Sequence, residues 1–338
     1  MIKRNVARGT AGLAALLLTS ATLTACGGGQ SEAPAGGGDA SPPAAGEPEK
    51  TELTVGVLPL ADLAPFFLAI EDGLFEDEGL QVEANVASGG AAQIAAMVAG
   101  DLDLTYSNYV SVLEARGEGL PLQIVRENNR SGPQGIYAMP DSGITDPAAL
   151  EGRSIAVNSL GNIQELTARA VLESHGVDPA SLEFVELPPA DMPAALEEGH
   201  VDAAWLVEPF ITLATGTSDA KRIVSAFEGP TENLPVAGWV ATEQFVAENP
   251  NTVAAFVRAM DEAMRIAVDE PERLEEIIPT YTSITPELVT QLNPPGLAED
   301  SDLSDLDTLQ DLMVEQGIIE EGVDLEAVVV DRDELPQA

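Results

Sequence analysis

The chain reads as an α/β protein of two lobes, each an open sheet flanked by helices, with a central cleft between them. Three observations predict this. A phrase of strand, helix, strand, helix, strand is used twice, over 53–106 and again over 154–205. Each copy breaks its first helix at a glycine (Gly79, Gly176) and enters its third strand through Gly-x-x-Asp, Gly100 to Asp103 and Gly199 to Asp202. At 338 residues the chain is long enough to bury two such units around a sizeable core. Alternating strands and helices with right-handed crossovers give mainly parallel sheets, whose ligands bind beyond the carboxyl ends of the strands.

Met1 to Arg8 is basic and Ala11 to Leu23 is apolar, a run too short to span a bilayer comfortably and suited to the core of a signal peptide over 1–25. It ends in Leu23-Thr24-Ala25-Cys26, which resembles a bacterial lipobox, so Cys26 is the expected lipidation site. An ordinary export cut with an incidental cysteine is the alternative. From Cys26 to Lys50 the composition is Gly, Ala, Pro and acid without periodicity, the signature of a disordered tether.

Leu53 to Leu58 is a buried strand. Asp62 can cap the helix that follows, with Pro65 in its first turn and Phe66, Phe67, Ile70 and Leu74 at helical spacing to Glu78. Gln81 to Val86 is the next strand. Ser88-Gly89-Gly90 opens a second helix, and Leu102 to Tyr106 is a strand ending in Ser107-Asn108. Leu122 to Arg126 is a strand running out into Asn128, and Gly135 to Met139 leaves the lobe. The boundaries follow: 51–137 and 232–338 for the first lobe, 138–231 for the second. Val236 to Ala241 returns as a strand. Thr252 to Val268 carries a one-sided apolar stripe, and Gly296 to Ala338 reads as acidic surface helices with Leu303, Leu306, Leu309, Leu312 and Ile318 at helical spacing.

The charge balance, 57 acids against 15 bases, argues against nucleic acid, which is bound by Lys and Arg neutralising phosphates. It reads as a solvated acidic surface suited to a salty habitat. One cysteine excludes an intrachain disulfide. Together with His175 and His200 it cannot make a Cys/His zinc site of ordinary spacing. No phosphate loop, cofactor motif or Ser/His/Asp order stands out, so neither a metal, a cofactor nor catalysis is expected.

The stretches Asp141-Ser142-Gly143-Ile144, Leu150 to Val157, Leu187 to Leu196, and Gly199 to Ala204 with Glu208-Pro209 resemble the nitrate/sulfonate/taurine type of ABC-transporter substrate-binding protein, whose relatives include pyrimidine-precursor binders. Ala69 to Phe75 and Glu78 to Val82 resemble the opening of the same family, and the resemblance covers roughly 50–270. It implies a type II periplasmic-binding-protein fold with two hinge crossings. It also implies solute capture by lobe closure and delivery to an ABC permease with its ATPase. With the lipobox, it implies a monomer held by a lipid anchor on the outer face of a bacterial cell membrane. A sensory or surface lipoprotein of the same fold is the alternative, and a pyrimidine-precursor enzyme a more distant one.

The candidate ligand-binding residues are those of the loops at the strand ends: Leu60, Asp62, Ser88, Gly89, Ser107, Asn108, Asn128, Asn158, Ser159, Asn162, Asp191 and Glu208. Asp62, Ser88, Ser159 and Asn162 serve equally well as helix caps. Asn108 and Asn128 offer a donor and an acceptor at strand ends. Glu208 can bind a cationic or N–H-rich solute, or dock the permease. Tyr106 and Trp205 are expected in the core. These loops contain no Lys or Arg unless Arg130 reaches in, so a neutral, pyrimidine-like heterocycle is favoured over a sulfonate or nitrate.

Overall fold

The structure is a computed structural model and describes residues 46–87 and 89–337. The signal segment, Cys26, the tether to residue 45, and Ser88 lie outside the described residues. In chain order the strands are β1 (Glu52–Val57), β2 (Gln81–Val86), β3 (Leu104–Asn108), β4 (Leu122–Arg130), β5 (Gly135–Ala138), β6 (Ser154–Val157), β7 (Glu183–Glu186), β8 (Ala203–Leu206), β9 (Lys221–Ser225) and β10 (Pro235–Thr242). The helices used below are α1 (Ala64–Glu71), α2 (Leu74–Asp77), α3 (Gly90–Ala99), α4 (Tyr109–Gly117), α5 (Ile163–Ser174), α6 (Met192–Glu197), α7 (Phe210–Ser218), α8 (Glu243–Glu248), α9 (Pro250–Asp269), α10 (Glu272–Tyr281), α11 (Pro286–Val289) and α12 (Leu306–Glu315).

The repeated phrase builds two five-stranded sheets of matching order, β2-β1-β3-β10-β4 and β7-β6-β8-β5-β9. In each, the first strand of the phrase lies between and parallel to its second and third. Each sheet is mainly parallel, as expected, with one antiparallel strand. β10 runs antiparallel to β3 and β4, and β5 runs antiparallel to β8 and β9. The reason is the crossing itself, since a strand that enters from the other sheet arrives in the opposite direction. β5 also corrects the lobe boundary. It belongs to the second sheet, so the chain crosses at 131–134 and returns at 226–234.

Local chemistry explains the turns. Gly79, Gly176, Gly100 and Gly199 all adopt left-handed φ, between 71° and 85°, which costs glycine little. The helix expected over 63–78 is divided, because Gly73 is also left-handed (φ 74°) and separates α1 from α2. Under the first sheet, Trp239 of β10 is fully buried against Phe66, Phe256 and Tyr106, with ring centroids 4.9, 5.4 and 5.9 Å away. The stripe of α9 buries Val253, Phe256, Val257, Met260 and Met264 as its spacing requires.

The C-terminal chain does more than cover the first lobe. Residues 296–298 run beside β4, where the Arg130 amide donates to Gly296 O at 2.8 Å and the Ala298 amide to Asn128 O at 3.0 Å. α12 buries Leu306, Leu309 and Met313, and just beyond it Gln316 Nε2 donates to Leu166 O of α5 at 3.1 Å. The last segment thus touches the first sheet and a helix of the second lobe. Among the described residues no helix is long and apolar enough to cross a membrane.

A candidate solute cavity between the sheets

The carboxyl ends of β1, β3, β6 and β8 meet around a cavity of about 50 Å³. The first sheet supplies Leu58, Leu60 and Asp62 after β1, Tyr106, Ser107 and Asn108 of β3, and Val236 and Ala237 of β10. The second supplies Asn158 after β6, Asn162, Ile163 and Gln164 at the start of α5, and Trp205 and Val207 around the end of β8, while Gln134 comes from the crossing. The volume holds on the order of three or four water molecules.

The loop after β1 is fixed from three sides. The Ala61 amide donates to Glu208 O at 3.0 Å, Asn128 Nδ2 donates to Asp62 O at 2.9 Å, and Tyr281 Oη donates to Leu60 O at 3.0 Å. Asp62 is therefore no helix cap. It sits within a single 3-10 turn and lines the cavity, 3% exposed. Asn129 Nδ2 donates to that carboxyl at 3.2 Å, and Tyr106 Oη donates to Asn129 Oδ1 at 2.8 Å. Burial, and next the charge of Glu208, push the Asp62 carboxyl up to about 7, against an opposing contribution from Gln134. Burial and Asp62 raise the Tyr106 and Tyr281 hydroxyls well above their ordinary value, so both stay protonated.

Across the cavity, Asn162 caps α5 by accepting from the amides of Gln164 at 3.0 Å and Glu165 at 3.3 Å, and its Nδ2 donates to Asn158. Gln164 Oε1 accepts from the Asn158 amide at 2.7 Å. On the facing wall Asn108 caps α4 through the Ser111 amide at 3.0 Å. Ser107 Oγ and Gln134 Oε1, both at the cavity and 1% exposed, have no hydrogen-bond partner among the described residues. None of the described lining residues is Lys, Arg or His.

Of the twelve residues expected at the site, Leu60, Asp62, Ser107, Asn108, Asn158 and Asn162 converge on this cavity. Gly89 and Ser159 face each other in a second groove of about 280 Å³ that shares Asn158 with the cavity. Asn128 lies behind the wall, fully buried, and supports the Asp62 loop instead of lining the cavity. Asp191 is exposed at the start of α6. Glu208 does not line the cavity, and its 1% exposure leaves no surface for docking. Its carboxylate accepts from Thr212 N at 3.0 Å, Thr212 Oγ1 at 3.1 Å, Asn293 N at 3.0 Å and Asn293 Nδ2 at 2.7 Å, tying β8 and α7 to the C-terminal chain. Arg130 does not reach in, since its guanidinium binds Asp305 at 2.6 Å and Glu127 at 3.4 Å.

Gln134, Gln164, Val207, Val236 and Ala237 were not expected at the site. The signal for Gln134 was its place on a crossing between lobes. Tyr106 and Trp205 combine the core role expected of them with a cavity face. Trp205 Nε1 donates to Thr167 Oγ1 at 3.1 Å, and both side chains are under 5% exposed.

The family model described as NMT1/THI5 like matches residues 61–274. A curated relative from Bacillus subtilis (strain 168), named for binding aliphatic sulfonates, is 26% identical over 239 residues, 69% of this chain and 69% of its own. The taurine-binding periplasmic protein of Escherichia coli (strain K12) is 23% identical over 210 residues, 62% of this chain and 64% of its own. Among solved structures, the alkanesulfonate-binding protein SsuA from Xanthomonas axonopodis pv. citri, bound to MOPS, superposes with a TM-score of 0.72 at 18% identity, covering 83% of this chain and 98% of that one. The family match spans well over half of the sequence, and the chain belongs to the NMT1/THI5-like family.

Proposed function

We propose that the protein is an exported, lipid-anchored solute-binding protein. It captures a small organic nutrient between its two sheets and hands it to an ABC permease. The observation that carries the reading is the cavity at the carboxyl ends of β1, β3, β6 and β8, walled by both halves of the chain. A cavity of about 50 Å³ closed from two sides takes in a solute when the walls part and holds it when they meet. The lipobox ending in Cys26 supports the anchor.

The solute in this reading bears no negative charge. The names of the relatives speak for a sulfonate. The lining speaks against one, because a buried anion needs a cation or several aligned donors, and the described lining has no cation and one acid. Nitrogen heterocycles of the pyrimidine kind therefore come before sulfonates and nitrate.

A thermal-shift screen of the full chain tests this, with sulfonates, nitrate, hydroxymethylpyrimidine, thiamine, riboflavin and small carboxylates. A ligand at 100 times its dissociation constant adds roughly 2.7 kcal/mol. The expected result is a saturable hit without negative charge that is lost in Asn158→Ala. An alkanesulfonate that binds tightly and is lost in the same variant would sink the choice of solute and leave the solute-binding role standing.

A further inference from the structure

Asp62 is the one charged side chain among the described lining residues, and it has no cation beside it. The titratable groups facing it are Glu208 from the chain after β8, Tyr106 from β3 and Tyr281 from α10. The first is an acid and the two tyrosines are neutral. By distance and angle the carboxyl accepts one hydrogen bond, from Asn129, with the Gln134 side chain a second and weaker donor, although an ionised carboxylate offers about four lone-pair sites. Gln134 Oε1 adds a second buried acceptor with nothing to accept from, and Ser107 Oγ a hydroxyl free to turn either way. The cavity thus holds two buried acceptors, Asp62 and Gln134 Oε1, without a cation, beside the amide donors of Asn158 and Gln164. A buried acid that lacks its partner in a cleft marks a place where a ligand supplies the partner.

This rests on reading the cavity as the solute site, and it narrows the solute to one chemical class. We propose that Asp62 is the specificity-determining group of the cavity: as a carboxylate it takes the N–H of a small organic cation, of the amidinium or protonated-amine kind, and thereby excludes anions of the same shape. Gln134 Oε1 takes a second N–H of the same solute. Tyr106 and Trp205 give the cation aromatic neighbours. The size of the cavity restricts the charged head of the solute to a few heavy atoms.

Capture is then linked to a proton. Without a solute the Asp62 carboxyl titrates at about 7, so at about pH 5 only about one molecule in 100 carries the carboxylate that the cation needs. The affinity for a cation that stays charged throughout falls about 100-fold from about pH 8 to about pH 5.

The test is calorimetric titration of the full chain with three probes of one shape: acetamidinium, acetamide and acetate. Nitrate is added as the anionic counterpart of guanidinium. Each is measured at both pH values in wild type, Asp62→Asn and Asn158→Leu. Asp62→Asn keeps the shape and an acceptor for Asn129, and a far-UV spectrum like that of wild type with a cooperative unfolding transition verifies its fold. The expected result is that acetamidinium binds in preference to acetamide, with acetate and nitrate silent. Its binding weakens about 100-fold at the lower pH and is lost in Asp62→Asn. Acetamidinium that fails to bind wild type, or binds Asp62→Asn equally well, overturns the proposal. Acetate or nitrate binding that disappears in Asn158→Leu overturns it too, while leaving the cavity as the solute site. Binding of any probe that is indifferent to both substitutions overturns the cavity reading with it.

Discussion

Two buried acids in this protein meet different numbers of donors. Glu208 accepts four hydrogen bonds from Thr212 and Asn293, enough to hold a carboxylate away from water. Asp62 accepts one by distance and angle, from Asn129, and burial, then the charge of Glu208, push it up to about 7 against the Gln134 side chain. In the unfolded chain it returns to its ordinary value of 3.8. A carboxyl raised on folding contributes stability that is full below the unfolded value and is lost as pH climbs through the folded one. Asp62→Asn removes that loss. The variant is expected to gain stability over wild type at about pH 8 and much less at about pH 4, the two gains differing by on the order of 2–4 kcal/mol. Urea unfolding at both pH values measures it. Glu127, also raised to about 7 by burial, titrates alike in both proteins and drops out of the difference. An equal gain at both pH values would mean that Asp62 is not strained by its surroundings.

At the scale of elements, the two copies of the phrase are closed by the same device. Asp103 accepts from the Thr54 amide of β1 at 3.0 Å, and Asp202 from the Ser154 amide of β6 at 3.0 Å. Each acid also meets a base just ahead of its first strand, Lys50 at 2.5 Å and Arg153 at 3.1 Å. The Ser154 amide is the main reason the Asp202 carboxyl lies below its ordinary value. Asp103→Ala and Asp202→Ala are each expected to cost about 1 kcal/mol, and the double variant about their sum, because the sites share no partner. Urea unfolding of the three variants tests this, and a neutral Asp202→Ala beside a costly Asp103→Ala would refute the equivalence of the turns. These acids and their glycines were legible in the sequence because the interaction spans one strand–helix–strand phrase and repeats. Glu208 was not, since its Asn293 partner lies 85 residues away and nothing local marks it. Asn108 and Asn162 were legible as either caps or cavity residues because they are both. Asp62 looks like a cap in sequence, yet one 3-10 turn, fixed by Asn128, Tyr281 and the Glu208 carbonyl, decides where its side chain points. The antiparallel β5 and β10 escaped for a similar reason, since strand direction is set by the crossing and not by the strand's own residues.

Across the whole molecule, charge outweighs any single contact. The chain carries 57 acids and 15 bases, and most described arginines are already committed: Arg126 to Asp261, Arg258 to Glu78, Arg273 to Asp72, Arg130 to Asp305, Arg169 to Glu165. The remaining carboxylates far outnumber the remaining bases, so the folded state confines a large excess of one sign and repels itself. Salt shortens the reach of that repulsion from about 10 Å at 0.1 M to about 3 Å at 1 M. The melting temperature is therefore expected to rise with sodium chloride, most steeply at low ionic strength, and to level off once the screening length falls below the spacing of neighbouring surface carboxylates. Sucrose, which favours the compact state by exclusion and screens nothing, separates the two effects. If screening governs, a dilute salt series lifts the melting temperature where sucrose of equal osmolarity leaves it nearly unchanged. If the two curves coincide, the acids are spaced widely enough to be tolerated, and the acidic surface reflects solubility rather than a requirement for salt. The same series bears on the cavity. Asp62 is buried and screened far less than the surface, so the pH at which an N–H-bearing solute begins to bind should move little while the melting temperature moves much.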